Sequence, residues 1–92
     1  MSETNLRTLK IINEKGLHAR ASAKFVEVVE GFDATAEVSR DGVSALGDSI
    51  MGLLMLAASK GTSIEVQTNG PDAVALAEAL DVLVADRFGE GC

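Results

Sequence analysis

The amino-acid sequence predicts an α+β domain of two layers, in which three helices cover one face of a four-stranded sheet. Three observations lead to this fold class: segments in which apolar and polar residues alternate, segments in which apolar residues return every three or four positions, and turn-forming residues between them. With 92 residues the chain is expected to form one domain, with an ordered core over about 7–88. The predicted elements follow the order β-α-β-β-α-β-α: strand 7–13, helix 19–30, strands 34–39 and 43–46, helix 50–59, strand 63–68 and helix 71–87.

The first strand and the first helix are distinguished by a change of period. Leu9 and Ile11 alternate with polar residues, which is typical of a half-buried strand. Over 19–30 the charged residues return every three or four positions and the apolar residues lie opposite, which predicts an amphipathic helix. Gly31 follows, and glycine commonly ends a helix. Residues 1–6 are expected to form a frayed terminus.

The middle of the chain predicts a hairpin followed by a short helix. Asp41-Gly42 is a strong tight-turn signal and joins the second and third strands. The helix that follows is apolar almost all round, so most of its residues are expected in the core. Asp48 or Ser49 can cap the free N–H groups at its start.

The last strand and the last helix follow from the same kinds of pattern. Ile64 and Val66 alternate with polar residues and are expected to point inward. Pro71 suits the first position of a helix, and Asp72 is favourable in its first turn. An apolar stripe then continues to about Arg87.

Composition and charge exclude several classes of function. The net charge of −6 argues against nucleic acid as a partner. The chain lacks an apolar run of about 18 residues and a signal pattern, so we expect no membrane span and a cytoplasmic location. One cysteine and one histidine cannot form a metal cluster, and we expect no cofactor and no catalytic triad. The cysteine, Cys92, is interpreted as a free thiol after a flexible tail, 89–91.

The stretch GLHARAS, Gly16–Ser22, holds the only histidine of the chain and is the strongest candidate site. His18 falls at the predicted start of the first helix, where unpaired N–H groups and the helix dipole favour anions. Arg20 adds a guanidinium that can bind two phosphate oxygens, and Lys15 and Lys24 make the surroundings basic. A neutral imidazole nitrogen is a nucleophile, so these residues could accept and hold a phosphoryl group. The alternative is that His18 is an ordinary surface residue.

The segment GLHARASAKFV resembles the active-site segment of HPr, the family of histidine-containing phosphocarriers of the phosphoenolpyruvate-dependent phosphotransferase system. The likeness continues through GFDATAEVS, SIMGLLMLAASKGTSIEV and NGPDAVALAEAL, and it covers about residues 8–87. The resemblance implies an open-faced β-sandwich, with a four-stranded antiparallel sheet in the order 1-4-2-3 and the helices on one face. The order of elements derived above is the order of this family.

The resemblance also implies a role for each residue of the site. His18 matches the histidine that accepts a phosphoryl group on Nδ1 from enzyme I and passes it to an EIIA-type acceptor. Arg20 matches the arginine that stabilises the phosphohistidine, and the backbone N–H groups of Ala19, Arg20 and Ala21 are expected to cradle the phosphate. The family usually has proline where this chain has Ala21, which restores a backbone donor and loosens the first helical turn.

Ser49 has two interpretations. From the residues alone it is an N-cap of the second helix. The resemblance implies that it is the serine that HPr kinase/phosphorylase modifies in many members of the family. A phosphate there would add nearly two negative charges at a helix start. The helix tolerates that charge, but an acidic docking partner does not, so phosphorylation of Ser49 is expected to weaken transfer from enzyme I.

The second helix is also expected to supply part of a docking surface, because methionine side chains adapt to several partners. The expected surface consists of Leu17, Arg20, Lys24, Met51, Gly52 and Met55. A carrier that presents one face to donor and acceptor in turn is expected to be a monomer. Two alternatives stay open: a nitrogen-branch regulatory phosphocarrier of the NPr type, and an interaction module in which His18 is silent.

Overall fold

The computed structural model of the protein describes residues 3–90. In chain order the elements are β1 (Glu3–Lys10), α1 (Ala19–Glu30), β2 (Thr35–Arg40), β3 (Val43–Leu46), α2 (Ile50–Met55), β4 (Ser63–Gly70), α3 (Ala73–Ala85) and a short 3₁₀ turn (Arg87–Gly89). The strands form one sheet in the order β1-β4-β2-β3, and every neighbouring pair is antiparallel. The predicted α+β class and the strand order implied by the resemblance are both confirmed.

The core lies between one face of the sheet and the helices. Inward-pointing residues alternate along the strands, so that Leu9 of β1 pairs with Ile64 of β4 and Val38 of β2 pairs with Val66 of β4. The residues between them in β2 and β4 are mostly exposed, which leaves the other face of the sheet open. The helices bury the apolar side chains of Phe25, Val29, Leu53, Leu76 and Leu80 against this inner face.

The first strand begins at Glu3 and not at residue 7, so the predicted fraying is wrong for residues 3–6. β1 pairs with β4 along its whole length, from Glu3 opposite Gly70 to Lys10 opposite Ser63. The early residues of β1 are mostly polar and give no hydrophobic signal, and only the ladder with β4 makes them a strand. At its other end β1 stops at Lys10, although Ile11 continues the buried face.

Two helices are shorter than the sequence predicts. α2 ends at Met55 because Ala57 turns into the left-handed region (φ 51°), which releases the next residues from the helix. α3 begins at Ala73 and not at Pro71. The backbone N–H of Asp72 donates to the carbonyl oxygen of Asp33, and the Asp72 carboxylate accepts from the Asp33 N–H, so Asp72 is held outside the helix. No helix within residues 3–90 is long and apolar enough to cross a membrane.

Candidate functional site

The loop before α1 is held by contacts with the segment after α2. Gly16 has a φ of +63°, and a Cβ at this position would lie 2.5 Å from the carbonyl oxygen of Ala58. The backbone N–H of Leu17 donates to the same oxygen at 2.8 Å. The Leu17 side chain is only 4% exposed, so its predicted place on the docking surface is wrong. Leu17 belongs to the hydrophobic core, and its burial anchors the loop that presents His18.

His18 is the N-cap of α1. Its backbone is extended, and its Nδ1 accepts a hydrogen bond of 3.2 Å from the backbone N–H of Arg20. The first backbone N–H groups of an α-helix, here those of Ala19, Arg20 and Ala21, have no carbonyl partner within the helix. Nδ1 therefore lies where the backbone dipoles of α1 favour negative charge. The imidazole is 26% exposed, which leaves it within reach of solvent and ligands.

The two basic residues in the first half of α1 differ in their surroundings. Arg20 is exposed and lies in the first turn of α1, two residues after His18. Lys24 is half-buried, and its Nζ donates a hydrogen bond of 2.6 Å to the carbonyl oxygen of Phe88. The sequence assigns Lys24 to the docking surface, but the structure uses its ammonium group to hold the end of the chain.

Residues Arg87–Glu90, the terminal turn, fold back over the site. Arg87, Phe88 and Gly89 have φ values of 53°, 55° and 78°, which reverse the chain after α3, and the Phe88 side chain is buried. The carboxylate of Glu90 thereby reaches the start of α1. The sequence predicts a flexible tail from residue 89, and for Gly89 and Glu90 this prediction is wrong. Gly91 and Cys92, with the predicted free thiol, lie outside the described residues.

The carboxylate of Glu90 joins two side chains of the site. Its Oε1 accepts a hydrogen bond of 2.9 Å from Nδ2 of Asn13, and its Oε2 is hydrogen-bonded to Nε2 of His18. The bond from Asn13 and then the bond from His18 lower the pKa of Glu90, and the charge of Lys15 acts in the same direction. Asn13 is completely buried, and its Nδ2 also donates to the carbonyl oxygen of Gly16 at 2.8 Å. Glu90 is therefore ionised at neutral pH and is held in place.

α2 presents Ser49 at its start and two exposed methionines along its length. Ser49 is the N-cap, and its Oγ accepts a hydrogen bond of 3.0 Å from the backbone N–H of Gly52. The side chains of Met51 and Met55, which we call the methionine patch, are 70% and 76% exposed. Gly52 is half-buried. The exposed part of the predicted docking surface thus consists of the methionine patch and Arg20.

Asn13 and Glu90 are parts of the site that the sequence does not reveal. They lie 77 positions apart, and neither belongs to the GLHARAS stretch. The one sequence feature that points to the segment around Glu90 is Phe88, a large apolar residue near the end of a chain with only three phenylalanines. Within residues 3–90, no group of three or more His, Cys, Asp or Glu side chains is arranged to hold a metal ion.

Comparison with known proteins finds a family model and relatives that match most of this chain, including His18 and Arg20. A family model described as the PTS HPr component phosphorylation site matches residues 6–86. The phosphocarrier protein HPr of Cupriavidus necator is 46% identical over 85 residues, which cover 92% of this chain and 96% of that protein. HPr of Neisseria meningitidis serogroup A has the same identity and coverage. The crystal structure of HPr-C-His from Thermoanaerobacter tengcongensis matches with a TM-score of 0.91 and 33% identity, over 96% of this chain and 99% of that chain.

Proposed function

Because this chain belongs to the HPr family of phosphocarrier proteins of the phosphotransferase system, we propose that it carries its phosphoryl group on Nδ1 of His18. The donor is enzyme I and the acceptor is an EIIA-type protein. In the first transfer the bond from phosphorus to the donor breaks while the bond from phosphorus to Nδ1 forms. The second transfer reverses these roles, so the protein acts as a carrier and not as an enzyme with its own turnover.

The observation that carries this proposal is the position of Nδ1 at the start of α1. Its hydrogen bond from the Arg20 N–H is long, at 3.2 Å, and an incoming phosphoryl group can replace it. The phosphoryl oxygens then accept from the N–H groups of Ala19, Arg20 and Ala21, as anions do at helix starts. The exposed guanidinium of Arg20 adds charge-assisted bonds, which are about twice as strong as neutral ones.

Ala21 modifies this cradle without removing it. Alanine has the backbone donor that proline lacks, so one more N–H can face the phosphoryl group. The Ala21 side chain is buried, which restrains the first turn of α1 even without a proline ring. An Ala21→Pro variant with a shorter phosphohistidine half-life would support a role for this donor, and an unchanged half-life would oppose it.

We further propose that Ser49 is a site of regulatory phosphorylation by a kinase of the HPr kinase/phosphorylase type. Its Oγ caps α2, the helix that bears the methionine patch, so a phosphate there would place nearly two negative charges at the start of this helix. An acidic surface of enzyme I would then be repelled. His18 itself would keep its geometry, because Ser49 is not among its hydrogen-bond partners within residues 3–90.

The test uses purified protein, phosphoenolpyruvate, Mg²⁺ and an enzyme I preparation, with the intact mass as the readout. We expect one added phosphoryl group that is lost in mild acid, and no addition to a His18→Ala variant. A Ser22→Ala variant is the matched control, because Ser22 is buried in the same helical turn and its hydroxyl donates to the carbonyl oxygen of Leu17 and not to the His18 ring. Modification of the His18→Ala protein, or none of the wild type, would contradict the proposal and favour an interaction module.

A further inference from the structure

We propose that Glu90 is a positioning residue, which holds His18 in the tautomer that carries its proton on Nε2 and leaves the Nδ1 lone pair free to attack. The inference rests on the proposed function, because it concerns the nitrogen that accepts the phosphoryl group. Glu90 lies beyond residues 6–86, the region that matches the family model.

The carboxylate faces two groups, and one of them can only donate. Nδ2 of Asn13 carries two hydrogens, and one of them is directed to the carbonyl oxygen of Gly16 at 2.8 Å. That bond fixes the orientation of the buried amide, so the second hydrogen must point at Oε1 of Glu90, 2.9 Å away. Oε2 remains as an acceptor for the imidazole. The arrangement thus requires a hydrogen on Nε2 of His18.

The contact on the other side of the ring requires the same tautomer. A neutral imidazole has one nitrogen that donates and one that accepts. The backbone N–H of Arg20 points at Nδ1, so Nδ1 must be the acceptor. In the opposite tautomer both contacts would fail, because an N–H would face an N–H and a lone pair would face a carboxylate. Two independent hydrogen bonds therefore select the form with a nucleophilic Nδ1.

The terminal turn gives Glu90 a fixed position. Phe88 anchors the turn in the core, and its carbonyl oxygen accepts the bond from Lys24. The Glu90 side chain is itself only 14% exposed. A carboxylate that is held in this way loses little conformational freedom when it binds the imidazole. A side chain is positioned most effectively by neighbours that are themselves rigid.

The contact between Glu90 and His18 also stabilises the positive charge that develops on the imidazole during phosphoryl transfer. When the lone pair of Nδ1 forms the bond to phosphorus, the donor atom leaves with its electron pair, and the proton on Nε2 stays in place. The ring then carries positive charge next to the carboxylate of Glu90. A preorganised charge of opposite sign at that position favours the phosphorylated state over the free histidine.

The test compares Glu90→Gln and Glu90→Ala with Glu30→Gln, a matched control that removes one negative charge from the exposed far end of α1. An amide cannot replace the carboxylate, because Asn13 and His18 face different oxygens of Glu90 and the single amide oxygen can occupy only one of these positions. With Asn13 satisfied, the amide group of the new glutamine faces Nε2 and selects the wrong tautomer. Circular dichroism first shows that each variant is folded.

Two readouts are measured on each protein. The ¹⁵N chemical shifts of the imidazole report the tautomer without any partner, and they are unambiguous because the chain has a single histidine. The initial rate of phosphorylation by enzyme I reports the function. For wild type and Glu30→Gln we expect the proton on Nε2. For Glu90→Gln we expect a population shifted to the proton on Nδ1 and a rate about 10-fold lower, as for other carboxylates that orient a histidine.

The outcomes separate the two proposals. A wild-type protein with its proton mainly on Nδ1, a Glu90→Gln variant with an unchanged tautomer, or Glu90 variants with an equal or faster rate would overturn the role of Glu90. A wild-type spectrum with the proton on Nδ1 overturns the role even if a variant does not fold. If the wild type shows the expected tautomer and Glu90→Gln shifts it, but enzyme I never phosphorylates the protein, the proposed function fails while the positioning of His18 by Glu90 stands.

Discussion

Replacing Gly16 with alanine tests how the loop that presents His18 is built. An alanine in the left-handed region costs about 1–2 kcal/mol. Its Cβ would also lie 2.5 Å from the Ala58 oxygen and 2.9 Å from the Cα of Ser59, so backbone must move. That movement weakens the bond from the Leu17 N–H to Ala58, and a buried backbone group that loses its partner costs about 1–3 kcal/mol.

We therefore expect Gly16→Ala to lower the free energy of unfolding by about 2–5 kcal/mol, measured as a shift of the urea midpoint with an unchanged slope. Gly42→Ala is the matched control, because Gly42 has a φ of +84° and nothing lies within 4 Å of the position a Cβ would take. Gly42→Ala therefore measures only the conformational cost of alanine in the left-handed region. If Gly16→Ala is no more destabilising than Gly42→Ala, the close approach of Gly16 to Ala58 does not hold the loop.

Three further predictions concern the groups around the site. Removing the α2 cap with Ser49→Ala is expected to cost about 1 kcal/mol in thermal unfolding, and an unchanged melting temperature would mean that the bond to Gly52 is not maintained. Glu90 has a lowered pKa in the folded protein, so its stabilisation is present above its ordinary value of 4.5 and is lost as the pH falls through the folded pKa. Unfolding curves of wild type and Glu90→Gln should therefore converge in acid, and a constant difference would contradict this. Met51→Gln with Met55→Gln is expected to slow phosphorylation by enzyme I while stability changes by less than about 0.5 kcal/mol per site, whereas an unchanged rate would remove the methionine patch from the docking surface.

The parts of the fold that the sequence predicts well are those with strong local signals. α1 runs over 19–30 as predicted, because its polar and apolar faces are sharply divided. The Asp41-Gly42 turn is correct because both residues have positive φ, as a tight hairpin requires. The end of α2 is not predictable in this way. It is determined by Ala57 and by the use of the Ala58 carbonyl to hold a loop some 40 residues earlier in the chain.

The candidate site also has some features that the sequence predicts and others that it does not. His18 as the N-cap of α1 could be predicted, since it follows from the start of an amphipathic helix. The bonds of Glu90 to Asn13 and His18 could not, because they depend on a left-handed turn that returns the chain from the end of α3. A glutamate between two glycines has no local pattern that predicts a partner. The burial of Leu17 was missed for a related reason, since an apolar residue beside a predicted docking helix could equally face solvent or the core.

The most direct test of the account identifies the atom that carries the phosphoryl group. The protein is labelled with ¹⁵N in the ring of its single histidine, phosphorylated by enzyme I, and examined by ¹⁵N and ³¹P NMR. We predict a phosphorus–nitrogen coupling at Nδ1 of His18, while Nε2 keeps its hydrogen. Coupling at Nε2, or a phosphoryl group on another residue, would contradict the claim that Nδ1 at the start of α1 is the acceptor.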